Sequence, residues 1–411
     1  MTTKLTLKTI RKSVLGHLSL FIIFFCLVQA CAMKNNVAGD LEQADLVDKV
    51  TAVLSEQVIE TAAWALTQEP VTVTASRSER SAGGIHDFYS EGDYWWPDPN
   101  DPQGPYIQRD GLSNPGNFVD HRLAMIRFSR IIGALASAYR ISGEDRYVRH
   151  AIPHLKAWFV DSETLMNPSL TYAQAIHGRV SGRGIGIIDT IHLMEVAQGL
   201  IVMEDSRAMD PMLASKVKGW FGQYIDWLLT HPYGAEEMNK DNNHATCFFM
   251  QLASFAKLTK NEAVLDTCRQ RYSTILLQEQ MGEDGSFPRE LGRTKPYGYS
   301  LFNLDAMATL VHLLSDGEQD LWSFQTQDQK SIKKGIDFLV PYVKQKTKWS
   351  FAEDVMYWEN WPVAHPFLLF GAIGLEQKEL YRIWEKLEHQ PKEEEVIRNL
   401  PIRNPIIWID K

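Results

Sequence analysis

The segment Val119-Asp120-His121-Arg122-Leu123-Ala124-Met125-Ile126-Arg127-Phe128-Ser129-Arg130-Ile131-Ile132-Gly133-Ala134-Leu135-Ala136-Ser137-Ala138-Tyr139-Arg140-Ile141 reads as one long amphipathic helix. Met125, Phe128, Ile132, Leu135 and Tyr139 recur at intervals of three or four residues, and arginines fall between them. Helical spacing continues at Arg146 to Phe159, Ile185 to Met203, Pro211 to His231, Asn243 to Leu258, Glu262 to Glu279, Ser300 to Leu314, Lys330 to Lys344 and Glu376 to Leu387. It also precedes the segment, from Leu41 to Thr67. Most joins are short and carry Gly, Asp or Asn, which makes successive helices antiparallel neighbours. Strand-like alternation is scarce, and no fixed period marks a solenoid. The expected architecture is all-α, an incomplete (α/α) toroid of helical hairpins forming a single domain over 41–411.

Composition agrees with a packed globular chain. Of 411 residues, 45% are hydrophobic and 23% charged, which excludes a disordered, collagen-like or disulfide-scaffold protein. With Asp+Glu 51 against Lys+Arg 42, the net charge of −9 argues against a nucleic-acid partner, since no concentrated basic run is visible. The N-terminus carries Lys4, Lys8, Arg11 and Lys12 ahead of a mostly apolar stretch from Leu18 to Val28. That stretch is too short to span a bilayer and reads as a secretory signal over 1–30. Val28-Gln29-Ala30-Cys31 resembles a bacterial lipobox, so the expected product is a lipoprotein anchored through Cys31, periplasmic or at the outer membrane, with a tether over 31–40. The lipid is then its one membrane contact. Loss of the leader removes four of the 42 basic residues, leaving 38 against 51 acidic and a net charge of −13. Cys247 and Cys268 read as buried thiols, because two cysteines make no disulfide framework.

From Ser76 to Phe118 the character changes. Pro97, Pro99, Pro102, Pro105 and Pro115 alternate with Gly92, Gly104, Gly111 and Gly116, so this is a long irregular loop. Loops of this length in compact domains are commonly functional. Tyr94, Trp95 and Trp96 lie within it and offer aromatic faces on which sugar rings can stack. Trp358, in Tyr357-Trp358-Glu359-Asn360-Trp361, is a further candidate of the same kind, and Asn167 and Gln174 are candidate donors to substrate oxygens.

The densest chemistry lies in two segments. Asn242-Asn243-His244 opens the apolar run Ala245 to Phe255, which sets Asn243 and His244 where a helix begins and anions are favoured. About fifty residues on, Arg289, Arg293, Lys295, Tyr297 and Tyr299 crowd into eleven residues of loop, and Arg289 and Lys295 are candidate substrate-binding cations. Eliminating the 4-linked sugar from a uronate needs a cation or donors on the carboxylate, a base for the proton on the adjacent carbon, and an acid for the departing oxygen. Asn243, His244 and Arg293 suit the first need, and Tyr299 the other two. No metal or organic cofactor is called for. If the stretch between them turns helically, Glu237, seven residues before His244, shares a face with it and hydrogen-bonds it or, when protonated, the substrate carboxylate; the other reading is a helix-end surface carboxylate. His150 and His154 have the spacing of a zinc pair, but Pro153 interrupts the turn and no third ligand is evident, so packing explains them better. Gly182-Arg183-Gly184-Ile185-Gly186 has no preceding strand and reads as close packing at a helix start.

Taken together these segments resemble the alginate-lyase superfamily of (α/α)-toroid polysaccharide lyases, which includes the alginate lyases of family five and the glucuronan- and alginate-cleaving family thirty-eight. The resemblance runs from about Tyr89 to Leu314. It also rests on Tyr89-Ser90-Glu91-Gly92-Asp93-Tyr94-Trp95-Trp96-Pro97-Asp98-Pro99, on Met166-Asn167-Pro168-Ser169-Leu170-Thr171-Tyr172-Ala173-Gln174 and on Gly182-Arg183-Gly184-Ile185-Gly186-Ile187-Ile188-Asp189. It implies an acidic polysaccharide substrate, cleaved with Asn243 and His244 neutralising the carboxylate, Arg293 supporting it and lowering the phenol's pKa, and Tyr299 moving the proton. In family five the catalytic Tyr is commonly followed by His and stands one residue further from the Arg. Here Ser300 follows and the separation is six, which favours the family thirty-eight type. Two other readings of the chain are a toroidal glycoside hydrolase, with Asp93, Asp98 or Glu237 as its carboxylic acids, and a non-catalytic glycan-binding lipoprotein.

Overall fold

A computed structural model describes residues 46–409. The signal, Cys31 and the tether lie outside the described residues. The chain divides into two compact units; of the first, 46–52 are described, and everything below concerns the second, Val53–Ile409.

Within it a first helix, α1, covers 53–65. It is followed by α2 (Asp120–Ser142), α3 (Asp145–Phe159), α4 (Leu193–Met203), α5 (Pro211–Thr230), α6 (Pro232–Glu237), α7 (Asn243–Thr259), α8 (Glu262–Arg271), α9 (Leu277–Gln280), α10 (Pro288–Leu291), α11 (Pro296–Leu314), α12 (Ile332–Lys344), α13 (Pro366–Gly374), α14 (Lys378–Trp384) and α15 (Glu394–Arg398). An inner row runs α2, α4, α7, α11, α13, each helix packed on the next. Outside it α3 lies on α2, α5 on α7, α8 on α7, α12 on α11 and α14 on α13. This is the incomplete (α/α) toroid.

Burial separates the two rows in the way their sequences demand. In α11 only Tyr299 and His312 are not fully buried, and in α7 only His244, Lys257 and Thr259. Helices apolar on every side belong in a core, whereas α12 buries only Ile332, Gly335, Ile336, Leu339 and Val343 along one face. Tyr299 and His244 are thus interruptions in two otherwise buried inner helices, each within the first turn.

Some boundaries differ from the sequence expectation. The segment Ile185 to Met203 splits into a 3-10 run at Gly184–Thr190 and α4, and α8 continues through a π-turn at Tyr272–Leu276 into α9. Helix α13 was not expected: Pro-Phe-Leu-Leu-Phe-Gly-Ala-Ile-Gly has no polar face to produce a period. Its N-terminus is fixed by Asp305 of α11, which accepts from the Phe367 N–H at 3.1 Å and from His365 Nδ1 at 2.7 Å. Helix α11 begins four residues earlier than its apolar spacing suggests. Pro296 opens it, and Asp354 accepts from the Tyr297 and Gly298 N–H groups at 2.8 and 2.9 Å, satisfying donors that the first turn leaves unpaired.

The long loop is ordered by small sheets. β1 (Tyr89–Glu91) pairs in parallel with β4 (Tyr172–Ala175), and β2 (Trp95–Trp96) pairs antiparallel with β3 (Ile107–Gln108). The glycine run packs tightly beneath β4. A Cβ on Gly182 would lie 2.0 Å from the Thr171 carbonyl oxygen, and one on Gly186 would lie 2.5 Å from Ala173 Cβ. Cys247 and Cys268 are free and buried. His150 and His154 both turn Nε2 toward the Gln68 carbonyl, at 3.1 and 3.2 Å. No single described helix is long and apolar enough to cross a membrane.

Candidate active site

Strands β2 and β3 with the residues just before and after them, the first turns of α7 and α11 and the end of α15 surround a cleft of about 400 Å³. Tyr94, Trp95, Gln174, Asn243, His244, Arg293 and Tyr299 all line it. The Tyr299 hydroxyl is the focus. It lies 2.6 Å from the Tyr94 hydroxyl, and Arg293 Nη2 donates to it at 3.4 Å with the guanidinium 4.4 Å from the ring centre.

Asn243, His244 and Arg293 are each held by a neighbouring side chain. Asn242 caps α7, accepting from the His244 N–H at 3.3 Å. Glu290 of α10, wholly buried, accepts from the Asn243 N–H at 2.7 Å and from its side-chain amide at 2.9 Å. Glu237 Oε1 stands 2.6 Å from His244 Nδ1. When that nitrogen carries the proton, Nε2 is the free atom of the ring, the arrangement that fixes a histidine's tautomer and orientation. Asp110, from the loop after β3, accepts from Arg293 Nη2 at 2.8 Å and from Thr294 Oγ1 at 2.9 Å.

Charge in the cleft is basic in an acidic protein. Arg183, Lys240, Arg293 and Arg398 line it with His244, against two carboxylates, Asp93 and Asp110. Neither acid is free. Arg122 grips Asp93 at 2.6 and 3.0 Å and Arg398 adds a contact at 2.7 Å. Burial opposes the Asp93 charge, but Arg122 and Arg398 outweigh it and hold the carboxyl below its usual range.

The other residues singled out by sequence fall elsewhere. Gln174, at φ 50°, is in the lining, and its side chain bridges Asp189 at 3.1 Å and Arg183 at 3.1 Å. Trp95 lines the cleft with Arg179 and Arg183 over its ring at 5.3 and 5.8 Å. Trp96 is turned away: its Nε1 donates to the Leu112 carbonyl at 2.9 Å and Arg109 covers its ring. Asn167 donates to Asp87 at 2.8 Å, outside the cleft. Arg289 is exposed and paired with Asp241 at 2.6 Å. Lys295 is buried, paired with Glu395, and does not line the cleft. Trp358 stands over Lys346 and against Tyr297. Among the described residues, no cluster of three or more His, Cys, Asp or Glu is placed to hold a metal ion. Sequence reading missed Asp110, Glu290 and Arg398, each of which meets a partner distant in the chain, and Arg183, which it took only as part of a close-packed glycine run.

The sequence model of the alginate lyase family matches residues 72–349. The chain belongs to the alginate lyase family. It is similar to a crystal structure of an alginate lyase from Bacteroides ovatus, with 30% identity and a TM-score of 0.75 over 89% of this chain and 97% of that one. It shares the fold of alginate lyase A1-III from Sphingomonas species A1 at 14% identity and a TM-score of 0.50, over 77% of this chain and 85% of that one. A variant of A1-III complexed with tetrasaccharide aligns at 15% identity and a TM-score of 0.50, over 76% of this chain and 84% of that one. Comparison with curated proteins gives no match. Membership of the alginate lyase family makes this chain a polysaccharide lyase, and its toroid is the one those structures share.

Burial pushes the Tyr299 phenol well above its ordinary value; Tyr94 adds to the shift, and Lys295 and Arg293 oppose it. The lowering expected from Arg293 is therefore present but smaller than the effect of burial. A raised phenol pKa means a protonated Tyr299 at neutral pH, so any step that needs the phenolate gains with each increment of pH. kcat/KM on alginate is expected to climb by about tenfold per pH unit from neutrality toward the phenol's pKa, until another group intervenes. A profile flat across the alkaline range, at constant protein stability, would remove Tyr299 as the base.

Proposed function

We propose that this protein cleaves 4-linked polyuronate, alginate first, by β-elimination. One observation carries the reading: the Tyr299 hydroxyl sits beside Arg293 in the same basic cleft as Asn243 and His244, which hold the N-terminus of α7. A uronate carboxylate set between Arg293 and His244 has its charge met by a guanidinium, by the His244 ring when Nε2 carries a proton as well as Nδ1, and by the positive end of a helix. That makes the neighbouring C5–H bond easier to break. Tyr299, as phenolate, takes the C5 proton; the electron pair becomes the C4–C5 double bond and the C4–O bond breaks. The same phenol then returns the proton to the departing O4.

The hydrolase reading lacks support, because it requires two available carboxylic acids. Asp93 is locked between arginines, Glu237 is buried behind His244, and Asp98 lies in a turn outside the cleft lining. The Bacteroides relative supports alginate as substrate. The six-residue step from Arg293 to Tyr299 and Ser300 after it support adding glucuronan. The N-terminal leader and Cys31 support a lipid-anchored enzyme beyond the inner membrane.

The test is a screen of polymannuronate, polyguluronate, glucuronan and a glycosaminoglycan. Ultraviolet absorbance from an unsaturated uronosyl end is the expected product on polymannuronate or glucuronan. New reducing ends without absorbance would establish a hydrolase, and binding with neither signal a glycan-binding protein.

A further inference from the structure

Lys295 was expected at the substrate, yet it is only 4% exposed and absent from the cleft wall. Its Nζ lies 5.1 Å from the ring centre of Tyr94, 5.5 Å from that of Tyr299 and 5.3 Å from that of Tyr357. An ion pair to Glu395 of α15 holds it there. Glu395 also binds Arg398 at 3.2 Å, and Arg398 crosses to Asp93 at 2.7 Å, next in sequence to Tyr94. A buried ammonium costs desolvation that an apolar side chain of the same length would avoid, so packing alone gives no reason for it. Its position gives one. The pair is a fixed dipole whose positive end meets the faces of the two hydrogen-bonded phenols.

We propose that Lys295, fixed by Glu395, is a positioning residue whose charge compensates the phenolate that forms on Tyr299 during proton transfer, so that α15 is part of the catalytic apparatus. This rests on the assignment of Tyr299 as the proton-transfer residue. The charged and titratable groups facing Tyr299 are Tyr94 and Asp93 from the long loop, Asp110 through Arg293, Lys295 itself, His244 from α7, and Glu395 with Arg398 from α15. Lys295 and Arg293 are the two that favour the phenolate most strongly.

The experiment is a pH profile of kcat and KM on alginate for Lys295→Met, Lys295→Arg and the double variant Lys295→Met/Glu395→Gln, beside Tyr299→Phe. Removing one charge at this distance in a partly screened site is expected to cut kcat at neutral pH by roughly tenfold to a hundredfold and to move the rising limb about one pH unit or more upward. KM should stay near the wild-type value, and Lys295→Arg should recover much of kcat. The double variant removes both charges, so its folding does not depend on an unpaired buried acid. It should show the same displaced limb. An unmoved limb in a folded double variant, or a rise in KM alone, would overturn the inference. An active Tyr299→Phe would instead overturn the assignment beneath it.

Discussion

Tyr299→Phe is expected to lower kcat on alginate by about 10²–10⁴-fold, the range that one positioned acid or base supplies. The substitution keeps the ring that Arg293 and Lys295 cover and removes only the hydroxyl. Affinity for an unreactive oligosaccharide should therefore stay within a few-fold, since His244 and Arg293, the proposed carboxylate ligands, remain. The measurement is kcat by absorbance together with oligosaccharide Kd by calorimetry. Turnover near the wild-type rate would sink the role of Tyr299 and shift attention to Tyr94, whose hydroxyl is 2.6 Å away. A large loss of affinity with kcat preserved would make Tyr299 a binding residue.

Arg293→Ala is expected to cost about 10²–10³-fold in kcat/KM, the scale for losing one fixed donor to developing charge. Two effects add. The carboxylate loses its guanidinium, and Asp110 loses its cationic partner at 2.8 Å and keeps only hydrogen bonds from Thr294, an uncompensated charge in a cleft that must admit a polyanion. KM should therefore rise while kcat falls. Arg293→Lys should recover little, because a point charge does not reproduce a guanidinium fork that serves Asp110 and the phenol together. Combining Arg293→Ala with Asp110→Asn separates the effects: the double variant should regain part of the KM loss and none of the kcat loss. If kcat returned with it, Arg293 would act only by neutralising Asp110.

The sequence reveals the helices because outer and half-buried segments carry a 3.6-residue period, as α2 and α12 do. Helix α13 escapes it because burial on every side erases the period. The start of α11 escapes for a different reason, since its cap, Asp354, lies more than fifty residues beyond the turn it completes. The same non-locality governs the site. Local composition singles out Asn243, His244, Arg293 and Tyr299, which the fold brings to one cleft, because they cluster at or just ahead of two helix starts. It assigns Arg289 and Lys295 to the substrate by density alone, whereas Asp241 and Glu395 claim them. Glu290, Asp110 and Arg398 carry no local signal, and what marks them is the partner each meets across the fold.

The cleft floor joins Asp93 near one end of the described chain to Arg398 near the other. Contacts of such sequence separation close late in folding, because the chain between them must order first. A nascent chain that has completed α2 through α11 therefore already holds Tyr299, His244 and Arg293, yet Lys295 lacks its carboxylate and Asp93 one of its two arginines. If Lys295 serves Tyr299 as proposed, a chain that stops before α15 is expected to build most of the toroid and still fall short as a lyase.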